Sequence, residues 1–313
     1  MRLQSAPERI DGITRHGVPL AGFTTWRVGG TAETLVEPKD ADGLSAAIRW
    51  FASHGLGCCV LGGGSNTLIA DGEISVPIIS TGAMQSVSFS REGENVFVAC
   101  GAGVSLKKLF ALSLREGWSG LEFAAGIPGT VGGAVMGNAG TGEGEISQAI
   151  QSVEATGADG KTRSMGRDEI EWGYRRCGLS ERGFAVISRV TARLRQSTQE
   201  AVASVSRQTI ERRKSQPLGT RTAGCVFKNP EGGKAGRLLD EAGCKGLSAG
   251  GAVVSGLHAN FIENRSGCCT ASDIANLAKL CRRRVYEKFG VWLSFEIQFL
   301  GFDRRSMEDD ALA

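Results

Sequence analysis

Cys225, Lys228 and Asn229 place a thiol, an ammonium and an amide close together in Thr222–Pro230 (TAGCVFKNP). A thiol is a usable acid near neutral pH, and the other two groups suit a polar or anionic ligand. Two glycine-dense segments lie upstream, Leu61–Gly72 (LGGGSNTLIADG) and Glu122–Gly140 (EFAAGIPGTVGGAVMGNAG). Glycine lets backbone amides approach a ligand closely, so loops of this kind can wrap a phosphate-bearing group. After Leu61, the run Gly62, Gly63, Gly64, Ser65 and Asn66 offers consecutive amides, a hydroxyl and an amide side chain, a set matched to a pyrophosphate. It is not GxGxxG, and no acidic residue follows at the distance a Rossmann dinucleotide site requires. A plain surface turn is the competing reading of three glycines. The second segment tips the balance: Ile127 through Gly133 (IPGTVGG) is apolar, glycine-rich and too long for a hairpin turn. Buried, it would strand its amides unless a ligand accepts from them. These features suggest an enzyme that grips a large cofactor in one half and presents a substrate from the other.

Composition sets the bounds. A chain of 313 residues with 41% hydrophobic and 22% charged residues has room for two or three domains around a sizeable core. Its 45 glycines are roughly twice the usual share of about 7%. A formal charge of +3 is too small to make nucleic acid the leading partner. No apolar stretch reaches membrane-spanning length, and the N-terminus lacks a signal-like apolar core. The nine cysteines are odd in number, twice adjacent, and form no CxxC pair. That argues against a disulfide framework and against a zinc or iron–sulfur site, so no metal is expected. The expectation is a cytoplasmic monomer.

The elements that must position these residues follow from periodicity. Residues 1–20 are polar and read as a loosely docked arm. Asp40 caps a helix with Leu44, Ile48, Phe51 and Ala52 on one face, Gly57–Leu61 and Val76–Ser80 are short strands, and a boundary falls near residue 80. Asn95–Cys100 alternates as a strand. Ser105 caps a helix carrying Leu106, Leu109, Phe110 and Ser113, and Phe184–Leu194 is another strand. Gln196–Gln216 reads as a charged helical link to a C-terminal domain, where Ser272 caps a helix with Ile274, Leu277, Cys281, Val285 and Phe289. Arg282, Arg283 and Arg284 read as a helix C-terminal cluster favoured by the dipole. Val291–Phe299 alternates strictly, with Glu296 on its polar side. Domains are expected at 21–80 and 81–200 for two cofactor-binding lobes and 201–303 for the substrate domain, with a tail at 304–313. Mixed strands and helices without a sustained βαβ rhythm indicate an α+β fold.

The motifs LGGGSN, GIPGTVGGAVMGNAG, Tyr174-Arg175, AGCVFKNP, GGAVVSGLHANFIEN and FEIQF occur in one order along nearly the whole chain. In that order the sequence resembles the UDP-N-acetylenolpyruvoylglucosamine reductases, the MurB family. The resemblance implies noncovalent FAD held by a two-lobed domain of the vanillyl-alcohol-oxidase (PCMH) type, followed by a smaller α+β substrate domain. Gly62–Asn66 and Gly126, Ile127, Pro128, Gly129, Thr130, Gly132 and Gly133 would wrap the FAD pyrophosphate, with Leu61 also at the cofactor. Asn138, Ala139, Gly140, Val186 and Ile187 would line the flavin. The implied reaction uses NADPH to reduce the flavin, which then passes hydride from N5 to the enolpyruvyl terminal carbon of UDP-N-acetylglucosamine enolpyruvate; protonation of the adjacent carbon gives UDP-N-acetylmuramate, a peptidoglycan precursor.

By the same resemblance Cys225, where the family usually has serine, is the proton donor. Glu296 stabilises the enol or relays a proton, and is expected to have a raised pKa. Arg175 holds the substrate carboxylate beside Tyr174, while Lys228 and Asn229 contact the UDP-sugar. Arg212, Arg213 and Lys214 are weaker candidates, since a charge run is usually a solvated helix face. His258 and Asn260 are expected to stabilise the domain rather than touch substrate. Cys177 and Leu179 depart from the family pattern after Tyr174-Arg175, which leaves the path of that loop open. The only tyrosine between Cys225 and Glu296 is Tyr286, inside a predicted helix, so the shorter subtype without a tyrosine-bearing lid fits. The rivals are a covalent-flavin oxidase on the same cofactor domain and a non-catalytic flavin- or UDP-sugar-binding protein. None of His16, His54 and His258 lies in a glycine loop, which argues against a histidine-linked flavin.

Overall fold

The structure, a computed structural model, describes residues 12–303 and residue 307. The described residues fall into two compact units. One comprises Gly12–His16, Thr34–Gly63 and Val76–Arg212, the other Gly17–Glu33, Gly64–Ser75 and the residues from Arg213 onward. The chain therefore divides differently from the expected contiguous segments. The helix read as a linker, Gln199–Arg212, belongs to the first unit, and two excursions before residue 80 belong to the second.

In the first unit, strand Thr31–Pro38 pairs in parallel with Ile78–Ser80 (Leu35 opposite Ile78), which pairs in parallel with Cys59–Leu61. Helix α1 (Ala41–Ser53) connects the first and last of these, started by Asp40 accepting from the Gly43 N–H at 2.9 Å. Its Leu44, Ile48 and Phe51 are buried as the spacing predicts, but Ala52 is exposed. An antiparallel sheet runs in the order Thr162–Gly166, Ile150–Gly157, Phe184–Gln196, Asn95–Gly101 and Val87–Glu92. Helices α2 (Leu106–Glu116) and α3 (Val131–Met136) bury Leu106, Leu109, Val131 and Val135 in the same core as Val98, Val153 and Val190 of that sheet. Each such side chain contributes about 1.5–3 kcal/mol of burial. Ser105 stands at the α2 N-cap without a side-chain cap bond, and α4 (Gln199–Arg212) packs against α2.

The expected N-terminal arm is a strand over Gly12–Pro19; the residues before it lie outside the description.

The second unit holds α5 (Ala235–Glu241), α6 (Ala271–Phe289) and a three-stranded antiparallel sheet of Ser248–Ala249, Ala252–Val254 and Ile262–Asn264. Trp26, Leu68, Phe227, Leu239, Ile274, Leu277 and Ile297 share one core. The α6 cap is Thr270 rather than Ser272: Thr270 and Asp273 form a reciprocal capping box. Ser272 lies inside the first turn and donates to Asp71 at 2.7 Å. The alternating segment 291–299 is also not one strand. Only Gln298–Leu300 pairs in a ladder, in parallel with Thr67–Ile69.

Candidate active site

In the first unit, the start of the first glycine segment, Leu61–Gly63, meets the second segment. Buried Leu61 ends its strand, and the next residues back directly onto the second segment. A Cβ on Gly63 would lie 2.8 Å from the Gly129 Cα, so backbone rests on backbone and only glycine fits. Thr130 then opens α3 by accepting from the Gly133 N–H. Among the described residues, the N–H groups of Gly62, Gly63, Gly129 and Thr130 make no hydrogen bond. The loop is more open than expected, because Gly63, Gly126, Pro128 and Gly133 are exposed. Closely packed glycines with these N–H groups unused suit a diphosphate-bearing cofactor. The Asn66 amide donates to the Glu296 carbonyl at 3.0 Å, within the second unit.

A second cluster in the first unit joins Asn138–Gly140 to a hairpin. Trp172–Gly173 pairs with Arg176–Cys177, which makes Tyr174 and Arg175 its two-residue turn. The loop path left open by Cys177 and Leu179 is thus a regular hairpin, with both of those side chains in the core. Buried Asn138 donates to the Gly173 carbonyl at 2.9 Å, and Arg175 donates to the Gly140 carbonyl at 3.0 Å. Arg175 has φ +53, unusual for a residue with a Cβ, and its guanidinium lies 5.2 Å from the centre of the exposed Tyr174 ring. Val186 and Ile187 point their side chains into the core, so they cannot line a flavin with them. Val186 pairs with Thr156 on one edge, while the ladder to Asn95–Gly101 begins only at Arg189, which leaves the other backbone edge without a strand there.

In the second unit the thiol and carboxylate segments run side by side. The Glu296 N–H donates to the carbonyl of Val226, next to Cys225, at 2.8 Å, and Lys228 N–H donates to Ser294 O at 2.9 Å. Both Cys225 and Glu296 are half-buried. Asn260 holds the thiol segment from behind. Its side chain accepts from the Phe227 N–H at 2.9 Å and donates to the Phe227 carbonyl at 2.8 Å, while its own carbonyl accepts from the Val226 N–H. Asn229 accepts from the Ala235 N–H at 3.0 Å and so starts α5. Arg212 pairs with Glu143 and Arg213 with Gln216, the bland reading of that run. Arg282 is a further correction: it is buried against aromatic rings rather than solvated at a helix end. Tyr286 lies in α6 as predicted, its ring edge-on to Trp292. Sequence reasoning missed Asn66 as an anchor of Glu296 and missed the burial of Arg282; neither contact has a local signature.

Residues 32–166, with both glycine segments and Asn138–Gly140, match the family described as "FAD binding domain". Residues 216–300, with Cys225, Lys228, Asn229 and Glu296, match "UDP-N-acetylenolpyruvoylglucosamine reductase, C-terminal domain". Arg175 lies between the two matches. A UDP-N-acetylenolpyruvoylglucosamine reductase of Syntrophobacter fumaroxidans is 39% identical over 92% of this chain and 84% of its own. The chain belongs to the UDP-N-acetylenolpyruvoylglucosamine reductase family. The enzyme of that name from Anaplasma marginale is 36% identical over 94% of this chain and 95% of its own. The crystal structure of the reductase from Thermus caldophilus covers 92% of this chain and 98% of its own at 34% identity, with a TM-score of 0.76. The protein is an FAD-dependent oxidoreductase of this reductase family, and its fold is the α+β arrangement expected. No helix among the described residues is long and apolar enough to cross a membrane, and no cluster of His, Cys, Asp or Glu among them can hold a metal ion.

Proposed function

We infer that the protein reduces UDP-N-acetylglucosamine enolpyruvate to UDP-N-acetylmuramate with electrons from NADPH. Gly62, Gly63, Gly129 and Thr130 would hold FAD through their N–H groups, and FAD would supply to the terminal carbon of the enolpyruvyl ether the hydride that NADPH provides. The remaining work belongs to the side chains. Hydride addition places negative charge on the neighbouring carbon and its carboxylate. The Arg175 guanidinium holds that carboxylate and takes up the enolate charge, as a planar fork can. The Cys225 thiol gives its proton to the carbon, which completes the lactyl ether, and solvent replaces the proton. Glu296 relays that proton or stabilises the enol form. Lys228 and Asn229 contact the UDP-sugar.

The observation that carries this reading is the match of the reductase C-terminal family to the segment in which Glu296 N–H is bonded beside Cys225. His16, His54 and His258 are engaged with Thr34, Trp50 and Asn260 respectively, outside the glycine segments, which supports noncovalent FAD. Nine free thiols suit a reducing cytoplasm, where we place the protein as a monomer without nucleic-acid or membrane partners, working without a tyrosine lid. Acid should release FAD from the purified protein, and NADPH should be consumed only with the enolpyruvyl substrate present. Bound FAD that this substrate never reoxidises would overturn the assignment.

A further inference from the structure

Arg282, on α6, is only 3% exposed. Burying a guanidinium is costly, so what surrounds it matters. Its central carbon lies 4.2 Å from the centroid of the Trp292 ring and 4.4 Å from that of Phe295, and it donates to the Met307 carbonyl at 2.7 Å. Phe295 in turn stacks on Phe227, with centroids 5.1 Å apart and planes at 22°, and the two residues form a backbone bridge. The ring held by Arg282 therefore immediately precedes Glu296 and faces the residue two beyond Cys225.

The stretch from Val291 to Ile297 has no ladder of its own; buried Leu293 and Ile297, the Glu296 N–H bond to Val226, the Asn66 bond to the Glu296 carbonyl and this ring stack together place Glu296. An apolar side chain could fill the same space. A cation adds an orientation-dependent attraction to the ring faces, which fixes where Phe295 lies. We propose that Arg282 is a positioning residue for the proton-transfer pair: through Phe295 it sets the register of Glu296 against Val226 and Cys225. It acts through that ring and not on the reacting atoms. The proposal rests on the roles given above to Cys225 and Glu296.

The test uses the full-length, FAD-loaded protein and follows its two half-reactions separately by stopped flow. Arg282→Met and Phe295→Leu should slow flavin reoxidation at saturating enolpyruvyl substrate by about tenfold to a hundredfold, the scale of a small misplacement. Reduction by NADPH and the substrate KM should stay near wild-type values. Arg282→Lys should restore part of the rate. Trp292→Leu, which removes the other ring on the guanidinium and leaves the Phe295–Phe227 stack in place, should slow reoxidation less than Phe295→Leu does and leave reduction by NADPH near wild type. Arg282→Met matching wild type, or slowing both half-reactions alike, overturns the proposal. If Arg282→Met does not fold, equal behaviour of Phe295→Leu and Trp292→Leu overturns it. A wild-type flavin that the substrate cannot reoxidise overturns the proposed function and this inference with it, whereas an active wild type beside an unaffected Arg282→Met removes the inference alone.

Discussion

Cys225 carries a thiol at a place where the family resemblance leads one to expect a hydroxyl. If its task is to protonate a carbon next to a carboxylate, the stronger acid performs it more readily, and the alcohol still can. Cys225→Ser should keep turnover within about tenfold, while Cys225→Ala should lower reoxidation by about a hundredfold or more, the usual scale for losing a general acid. Stopped flow should show flavin reduction untouched in both; equal losses in the two half-reactions would remove the proton-donor role. Arg175 makes a different kind of test, because its backbone at φ +53 is strained for any residue with a Cβ. Arg175→Gly and Arg175→Ala both delete the guanidinium and should both impair reoxidation. Only glycine relieves the backbone, so it should be the more stable of the two by about 1 kcal/mol in urea unfolding. The Tyr174-Arg175 pair was legible as a motif. Its strain was not, since left-handed backbone at an arginine has no sequence signal and follows from a two-residue hairpin tied to Asn138 and Gly140.

Elements were legible where local rules are strong. Asp40 and the apolar spacing behind it place α1 because cap and face lie within one short stretch. The start of α6 was misplaced by two residues since Ser272 and Thr270 have nearly equal capping preference. The choice falls to the Thr270–Asp273 box and to Asp71, a partner distant in sequence. Alternation over 291–299 read as a strand because an extended segment packed on one side shows the same pattern with or without a ladder. The loop from Ser255 to Phe261 offers a pH test at this scale. Burial, with help from nearby Lys245, pushes the His258 imidazole below its ordinary value. Its Nδ1 accepts from the Asn260 N–H at 3.2 Å, which requires the neutral ring. The folded state therefore resists a proton that the unfolded chain accepts below about pH 6.5. Stability from this group is present above that pH and is lost as pH falls toward the lower folded value. Urea midpoints at pH 7.5 and 5.5 should show wild type losing more stability than His258→Gln; a pH-independent gap between them would refute the burial argument.

At the scale of the whole molecule, contiguous domains were the natural expectation from sequence, and the chain does not oblige. It enters the second unit at Gly17, leaves after Glu33, returns for Gly64–Ser75, and enters finally at Arg213. Those short visits are structural. The Trp26 indole donates to the Ile262 carbonyl at 2.8 Å, and Asn264 donates back to the Trp26 carbonyl at 2.9 Å. Leu68 sits in the core, and its strand supplies the ladder partner of Gln298–Leu300. Asp71 accepts from the first N–H groups of α6. Losing Trp26 and Leu68 alone removes about 1.5–3 kcal/mol of burial per side chain, and the opened ladder and helix end add to that. A whole domain is stable by only about 5–15 kcal/mol. A fragment spanning residues 201–313, the substrate domain as sequence drew it, should therefore fail to fold. Circular dichroism should show little of the α6 helix and no cooperative urea transition, while the full-length protein unfolds cooperatively. A cooperative transition in the fragment would mean that the visits from Gly17–Glu33 and Gly64–Ser75 decorate that core without completing it.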